Sequence, residues 1–542
     1  MASRAPLVPP AEDPLEMSAE DPAELAAPET MVGKAGLVGG LTLLSRCFGL
    51  ARDAAIAYVL GTRAAADAFY VAFRIPNLLR RLLAEGNLTM SFVPVFTESF
   101  RKSKAEAKQV VDVTFTILFL LLTLMTLAGI LGAGLFVRLT ALGFQEDPEK
   151  FALTVRLTKI TFPYIFLVSL GALAMGILNA RRRFLTPAIS PVLLNVGIIL
   201  GAWLLARHFA TPSVGIAWGV ILGGVLQLAI QIPPLLREGF FPRLDFHWRH
   251  PAVRKIGRLM LPSIYGSAVY QINLLAITFM ASYLPTGAVS YLWYADRVIE
   301  FPLGVFAISL ATVALPTLSE HAADRDFAKM KRSFRQALAV VWLVNIPAAV
   351  GLAVLAKPVV ALLFFRGGFT QESTRLTAET LQCFALGLPF VSATRISASA
   401  FYAVQEAAKP VRAANWAVLV NIVSALILLG PLQHRGLALG VSLGSLANFL
   451  IHMRDYRREV GSLGLRALIW EIAKMGIAAG LMAGALGLVG RYWDWTFAPL
   501  PKRGGYVLGM ISLGGAVYAL AVWALKVEGS EALLRALRRK SA

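Results

Sequence analysis

Apolar runs of membrane-spanning length recur along this chain and constrain its fold more than any other feature. Residues 115–137, 162–178, 191–206, 214–232, 340–356 and 413–430 approach or exceed the roughly 17–25 residues that a spanning helix needs. They do not alternate, as the strands of a membrane barrel would. With 57% hydrophobic residues, 15% charged residues and a mean hydropathy of +0.65 over 542 positions, the chain reads as an all-α polytopic membrane protein. Gly, Pro and charge punctuation place spans near 36–60, 64–98, 110–139, 152–180, 186–208, 213–236, 253–284, 287–318, 334–363, 374–404, 410–430, 434–453, 467–490 and 504–526, about fourteen in all.

The formal net charge of +20 is distributed in short clusters between apolar segments, which speaks for topology and against nucleic acid. Alternate connections carry Arg101, Lys102, Lys104 and Lys108; Arg181, Arg182 and Arg183; Arg254, Lys255 and Arg258; Lys329, Lys331, Arg332 and Arg335; Lys409 and Arg412; and Arg454, Arg457 and Arg458. The intervening ones are poor in Lys and Arg, so the positive-inside rule places both termini in the cytoplasm. Residues 1–34 are Ala/Pro-rich and acidic, as expected of a disordered cytosolic extension, and residues 531–542 form a cytosolic tail. Cys47 and Cys383 both fall in apolar segments and make no disulfide framework.

The chain repeats itself. Pro389 and Asn421 lie 226 positions after Pro163 and Asn195, the glycine pattern from Gly215 to Gly223 returns from Gly436 to Gly444, and Val93-Pro94 with Glu98 returns as Leu315-Pro316 with Glu320. Each half holds six spans, an even number, so the halves share one orientation and a substrate site is expected between them. The expected division is an N-lobe over 35–245, a C-lobe over 246–460, and two further helices over 461–530.

Against this apolar background, residues 45–94 carry Arg46, Arg52, Asp53, Asp67, Arg74, Arg80, Arg81 and Glu85. A charge at the bilayer centre costs roughly 2.5–3.5 kcal/mol on insertion scales, so such a cluster implies a water-accessible interior and a role for the charges. Asp67, Arg74, Asn77, Arg81 and Glu85 fall within an arc of about 80° on an ideal helix, and Pro76 is a candidate bend. Ser45, Gly49 and Arg52 share a face of the first helix. In the second half, Asp296, Arg297 and Glu300 lie together, with Arg297 roughly 15 Å deep at 1.5 Å per residue. Internal salt bridges would explain the carboxylates and Arg46. For Arg52, Arg80 and Arg297 the favoured role is an anionic substrate, because a guanidinium fork matches phosphate oxygens and a diphosphate would suit arginines converging from both halves. His247 and His250 sit in an interfacial loop with little metal-ligand company and read as structural. No phosphate-binding Gly-x-x-x-x-Gly-Lys-Ser/Thr loop occurs, which argues against ATP-driven transport by this chain alone.

The order Ser45-Arg46, Gly49, Arg52-Asp53, Ala66-Asp67-Ala68-Phe69, Ile75-Pro-Asn-Leu-Leu-Arg-Arg81, Ala84-Glu-Gly86, Phe92-Val-Pro94 and Tyr294-Ala-Asp-Arg297 with Glu300-Phe-Pro302 closely resembles the MurJ (MviN) lipid II flippase family of the multidrug/oligosaccharidyl-lipid/polysaccharide exporter superfamily. The resemblance covers about residues 35–530. It implies a transporter rather than an enzyme, with two six-helix lobes around a cationic cavity and a lipid-tail groove on the last two helices. It also implies the bacterial cytoplasmic (inner) membrane and the movement of lipid II from inner to outer leaflet for cell wall biosynthesis. Arg46, Arg52, Arg80 and Arg297 would bind substrate, with Ser45, Asp53, Asp67, Arg74, Arg81, Glu85, Asp296 and Glu300 supporting or gating. Cell-wall synthesis and division proteins are further partners it suggests. Some members bind sodium through carboxylates of the seventh and eleventh helices. Here no Asp or Glu occurs between Asp245 and Asp296 or between Glu406 and Asp455, so no metal or other cofactor is expected and membrane potential or protons stay open as the energy source. The competing readings are a drug or other lipid-linked oligosaccharide exporter of the same superfamily, and a non-transporting membrane scaffold.

Overall fold

The computed structural model describes residues 28–83, 87–304, 308–461, 463–494 and 496–527, and among them no strand occurs. The first two expected spans are α1 (Pro28–Leu60) and the pair α2 (Ala64–Leu83) and α3 (Thr89–Lys102). The third to sixth are α4 (Lys104–Leu131) with α5 (Ala133–Thr140), α6 (Pro148–Thr161) with α7 (Tyr164–Ala180), α8 (Leu185–Leu200) with short π and 3-10 turns, and α9 (Pro212–Ala229) with α10 (Ile232–Glu238). The second half brings α11 (Pro251–Ala281), α12 (Ala288–Pro302) with α13 (Ile308–Ala323), and α14 (Phe327–Val354) with α15 (Ala356–Phe364). It continues with α16 (Gln371–Ala385) and α17 (Leu388–Ala403), α18 (Ala408–Leu432) and α19 (His434–Glu459). The chain closes on α20 (Leu465–Tyr492) and α21 (Leu500–Ala524).

Each expected span thus falls on one helix or on two consecutive ones. Eight helical stretches among the described residues are long and apolar enough to cross a membrane, ten if each of two bent pairs is one span. That test does not return fourteen: the expected spans on α2–α3 and α12–α13 each run across residues outside the described ones, and two further spans escape it for physical reasons. The sequence within α1 carries Lys34, Arg46, Arg52 and Asp53, and α18 and α19 count as one stretch of 52 residues although they fold back on each other. The reversal is visible in the packing: Gly436 abuts Leu428, Gly440 abuts Ala425 and Gly444 abuts Ala417. One expectation is corrected outright. Residues 28–34, placed in the disordered extension, begin α1. Residues 1–27 and 531–542 lie outside the described residues.

Helix starts are set by local chemistry. Ser103 accepts from the Glu106 amide (3.0 Å), Asp147 from that of Lys150 (3.0 Å) and Asp326 from that of Lys329 (3.0 Å). The repeat is built into the packing. The glycines of α8 and α9 interdigitate, a Cβ on Gly219 falling 2.8 Å from the Gly197 carbonyl oxygen and the Gly201 Cα, which only glycine permits. Asn195 on α8 bonds α1 and its counterpart Asn421 on α18 bonds α11. Pro163 and Pro389 stand at the α6–α7 and α16–α17 breaks. The helix α2 runs through Pro76 without interruption. Finally, α20 packs along α14 and against α21, extending the second core through Met475, Ala478, Met482 and Met510.

Candidate functional site

Between α1 and α2 on one side and α11 and α12 on the other, a dense set of contacts joins the ends that hold Asp67. Asp67, 1% exposed, accepts from Lys150 Nζ (2.9 Å), from the Gly287 amide (2.8 Å) and from both the amide (3.0 Å) and hydroxyl (2.6 Å) of Ser290. The carboxylate of α2 therefore caps the start of α12, where free amides and the positive dipole end favour an anion. Lys150 also lies 4.0 Å from the ring centroid of Phe144. The Tyr294 hydroxyl donates to the Gly61 carbonyl (3.1 Å), the Gly368 amide to that of Tyr58 (2.7 Å), and the Thr62 and Ser373 hydroxyls lie 2.7 Å apart. Below this seam Tyr70 stacks on Trp293 (4.6 Å) and meets Tyr294 edge-on (5.4 Å), while Phe364 and Phe369 enclose Tyr294. These buried rings plug that end.

Trp293 is the boundary between plug and charge. Arg297 lies 4.8 Å and Arg74 5.4 Å from its ring centroid, as cation–π pairs. Arg297 Nη1 donates to Glu300 (2.6 Å), with Asp296 at 3.7 Å; these carboxylates are 41% and 40% exposed although they sit in mid-span. Arg74 bonds the Thr278 hydroxyl, Arg80 donates to Asn77 (2.8 Å) and Arg81 faces the ring of Tyr270 (6.0 Å). On α1, Arg52 grips Asp53 through Nε and Nη2 (2.9–3.1 Å) and gives Nη1 to Asn195 (3.0 Å). Asp53, 1% exposed, also acts on Arg297 electrostatically. Arg46 packs against Gly304 and within electrostatic range of Arg395 on α17. The Ser45 carbonyl accepts from Asn195 (3.3 Å). Toward the other end α3 packs on α4, α7 and α11, and α13 on α14 and α17.

The geometry sorts the predicted residues. Arg74, Arg81, Asp296, Arg297 and Glu300 meet around Trp293 and Tyr270, Arg52 and Asp53 approach from α1, and Arg46 lies beside α12's end. Asp67 is set apart in the seal. Glu85 lies outside the described residues. The sequence reading did not single out Lys150, Trp293, Tyr270, Thr278 or Arg395. Arg395, an arginine well inside the tenth span, carried the same signal as Arg297 and could have been found by it. His247 and His250 hold local backbone: His247 pairs with Asp245, and His250 accepts from the Ala252 amide (3.2 Å) at the start of α11. Among the described residues no group of three or more His, Cys, Asp and Glu is placed to hold a metal. The helices α11 and α18 meet through neutral groups, Asn421 donating to Asn273 (2.6 Å).

Repeated helices that bring arginines together between two halves have the arrangement of a membrane transporter. Residues 56–503 match the family model of the lipid II flippase MurJ, and the chain belongs to that family. It is 37% identical over 500 residues to a probable lipid II flippase MurJ of Vibrio cholerae serotype O1, covering 90% of this chain and 94% of that protein. It is 37% identical over 464 residues to the lipid II flippase MurJ of Burkholderia cenocepacia, covering 85% and 90%. A solved lipid II flippase MurJ in an inward closed conformation superposes with a TM-score of 0.76 at 26% identity, over 90% of this chain and 97% of that one. An inward-facing multidrug resistance MATE transporter shares the fold alone, with a TM-score of 0.65 at 16% identity over 79% and 98%.

Proposed function

We propose that this chain translocates lipid II, a polyprenyl-diphosphate-linked peptidoglycan precursor, across the bacterial cytoplasmic membrane by alternating access. The observation that carries the reading is the convergence of Arg52, Arg74, Arg81 and Arg297 from both repeated halves on a cleft whose opposite end is sealed by the Asp67 network. The relatives described as lipid II flippases support the same substrate. In the state with the Asp67 end closed, the diphosphate enters from the basic, cytoplasmic end. It displaces Asp53 from Arg52 and Glu300 from Arg297, each guanidinium exchanging a carboxylate for phosphate oxygens, so that binding is firm yet reversible. Opening the seal then requires Asp67 to leave the start of α12.

In this reading residues 35–245 and 246–460 act as lobes, α20 and α21 keep the polyprenyl tail in lipid, and both termini face the cytoplasm. The neutral Asn273–Asn421 contact favours membrane potential or protons over sodium as the energy source. The test is depletion of the resident lipid II flippase in a bacterium, complemented with the intact chain or its Arg52→Ala variant, with outer-leaflet lipid II as the readout. Rescue by the intact chain alone is expected. Rescue by neither, with both proteins present in the membrane, would refute the substrate assignment.

A further inference from the structure

The repeat that places the glycines of α9 and α19 also places a polar pair behind them. Gln227 and Gln231, at the end of α9, return 221 positions on as Asn448 and His452 of α19. In the first half the pair is tied down: the Tyr164 hydroxyl donates to Gln227 Oε1 (3.3 Å) and Gln231 Nε2 to the Gln227 carbonyl (2.9 Å), with Gln231 Oε1 left over. In the second half the counterpart of Tyr164 is Phe390, which has no hydroxyl to give and lies against Phe449 (6.3 Å). Among the described residues Asn448 Oδ1 and both ring nitrogens of His452 find no hydrogen-bond partner, nor does the Tyr456 hydroxyl one turn further on.

These three residues follow i, i+4, i+8 spacing and so share one face of α19. His452 is 2% and Tyr456 1% exposed. Both flank the Phe401 ring of α17, at 5.4 and 6.3 Å, and Phe334 of α14 closes over Tyr456 (4.5 Å). Buried polar atoms are costly to leave unpaired, and a row of them on one helix face points to bound water. The row runs toward the cytoplasmic end. Asp455 acts on His452 electrostatically and is held by exposed Arg412 of α18 (2.7 Å), and Lys409 of α18 pairs with Glu406 and Glu459. The other arginines of the helices around it turn away, Arg395 of α17 toward Tyr270, Glu300 and Arg46, and Arg335 of α14 beside Gly464. An ionisable side chain inside a membrane span marks a pathway for ions or protons more often than a packing role.

We propose that His452 is a proton-binding site of the second half, reached from the cytoplasm past Asp455 through water molecules held by Asn448, His452 and Tyr456. A lone pair of the neutral ring takes the proton from that water, the imidazole becomes imidazolium, and the Asp455 carboxylate faces the new charge. The proposal goes beyond the transport reading and rests on it only for which end is cytoplasmic.

The test is NMR of the purified full chain in lipid nanodiscs, isotopically labelled at the histidine nitrogens, with His452→Gln identifying the signals of this ring among the six histidines. The His452 nitrogens should exchange magnetisation with water and titrate reversibly between about pH 5 and 8. Asn448→Leu/Tyr456→Phe, with two of the water ligands removed, should lose the water transfer and keep the ring neutral over the same range, because a dry site disfavours the imidazolium. A wild-type ring that stays neutral throughout that range, or a double variant that titrates as the wild type does, would overturn the proposal. The wild-type titration decides by itself where the double variant does not fold. Neither readout uses lipid II, so a failure here leaves the flippase reading standing, and a failure of that reading leaves this site standing.

Discussion

Asp67 is a carboxylate held almost out of water at the interface of α2, α6 and α12, and its environment accounts for its charge. Lys150 supplies the counter-charge, and the amides of Gly287 and Ser290 supply the hydrogen bonds that burial would otherwise deny it. Removing one partner leaves the other charge buried and unpaired. Lys150→Met should therefore destabilise the protein by about 3–5 kcal/mol, seen as a lowered unfolding temperature in detergent. Asp67→Asn/Lys150→Met should recover a large part of that loss; strict additivity of the two single changes would show that the pair does not interact. The sequence identified Asp67 as a charge with a task but not as part of the seal, because its partner Lys150 lies 83 positions away in a connection that gave no sign of burial. The same limit applies to Arg52. Its neighbour Asp53 was visible, whereas the amide of Asn195, 143 positions on, entered the sequence reading only as a landmark of the repeat.

At the scale of elements, the glycine patterns were legible because close helix packing leaves room for nothing larger at regular spacing. In the α8–α9 pair a Cβ on Gly219 meets backbone atoms of Gly197 and Gly201, which cannot rotate away as a side chain could. Gly219→Val should abolish accumulation of folded protein in the membrane, measured by size-exclusion profile, whereas Gly476→Ala should not, since a Cβ on Gly476 meets nothing within 4 Å. Equal behaviour of the two variants would count against this packing. Less legible were the breaks. Pro163 and Pro389 mark two of them, yet α2 passes through Pro76, because a proline's effect depends on whether neighbouring groups satisfy the freed carbonyl, and that is a tertiary matter.

For the whole molecule, the repeat, the family resemblance and the positive-inside pattern carry most of the architecture. What the sequence could not give is which end is closed, since that depends on contacts between halves, such as Thr62 with Ser373 and Tyr294 with Gly61, that are spread over hundreds of positions. Alternating access requires those contacts to part. With Cys47 and Cys383 replaced by Ser, a Thr62→Cys/Ser373→Cys disulfide should stop translocation by roughly tenfold or more, and a reducing agent should restore it. Unchanged transport in the cross-linked protein would mean that this seal never opens.

The most direct measurement is translocation of fluorescent lipid II in liposomes reconstituted with the purified chain, followed by quenching from outside, for the wild type and for Arg297→Ala. The account predicts protein-dependent loss of the protected signal for the wild type and near-background behaviour for Arg297→Ala folded to the same extent. Equal rates for the two proteins would contradict the claim that arginines from both halves carry the diphosphate through the cleft.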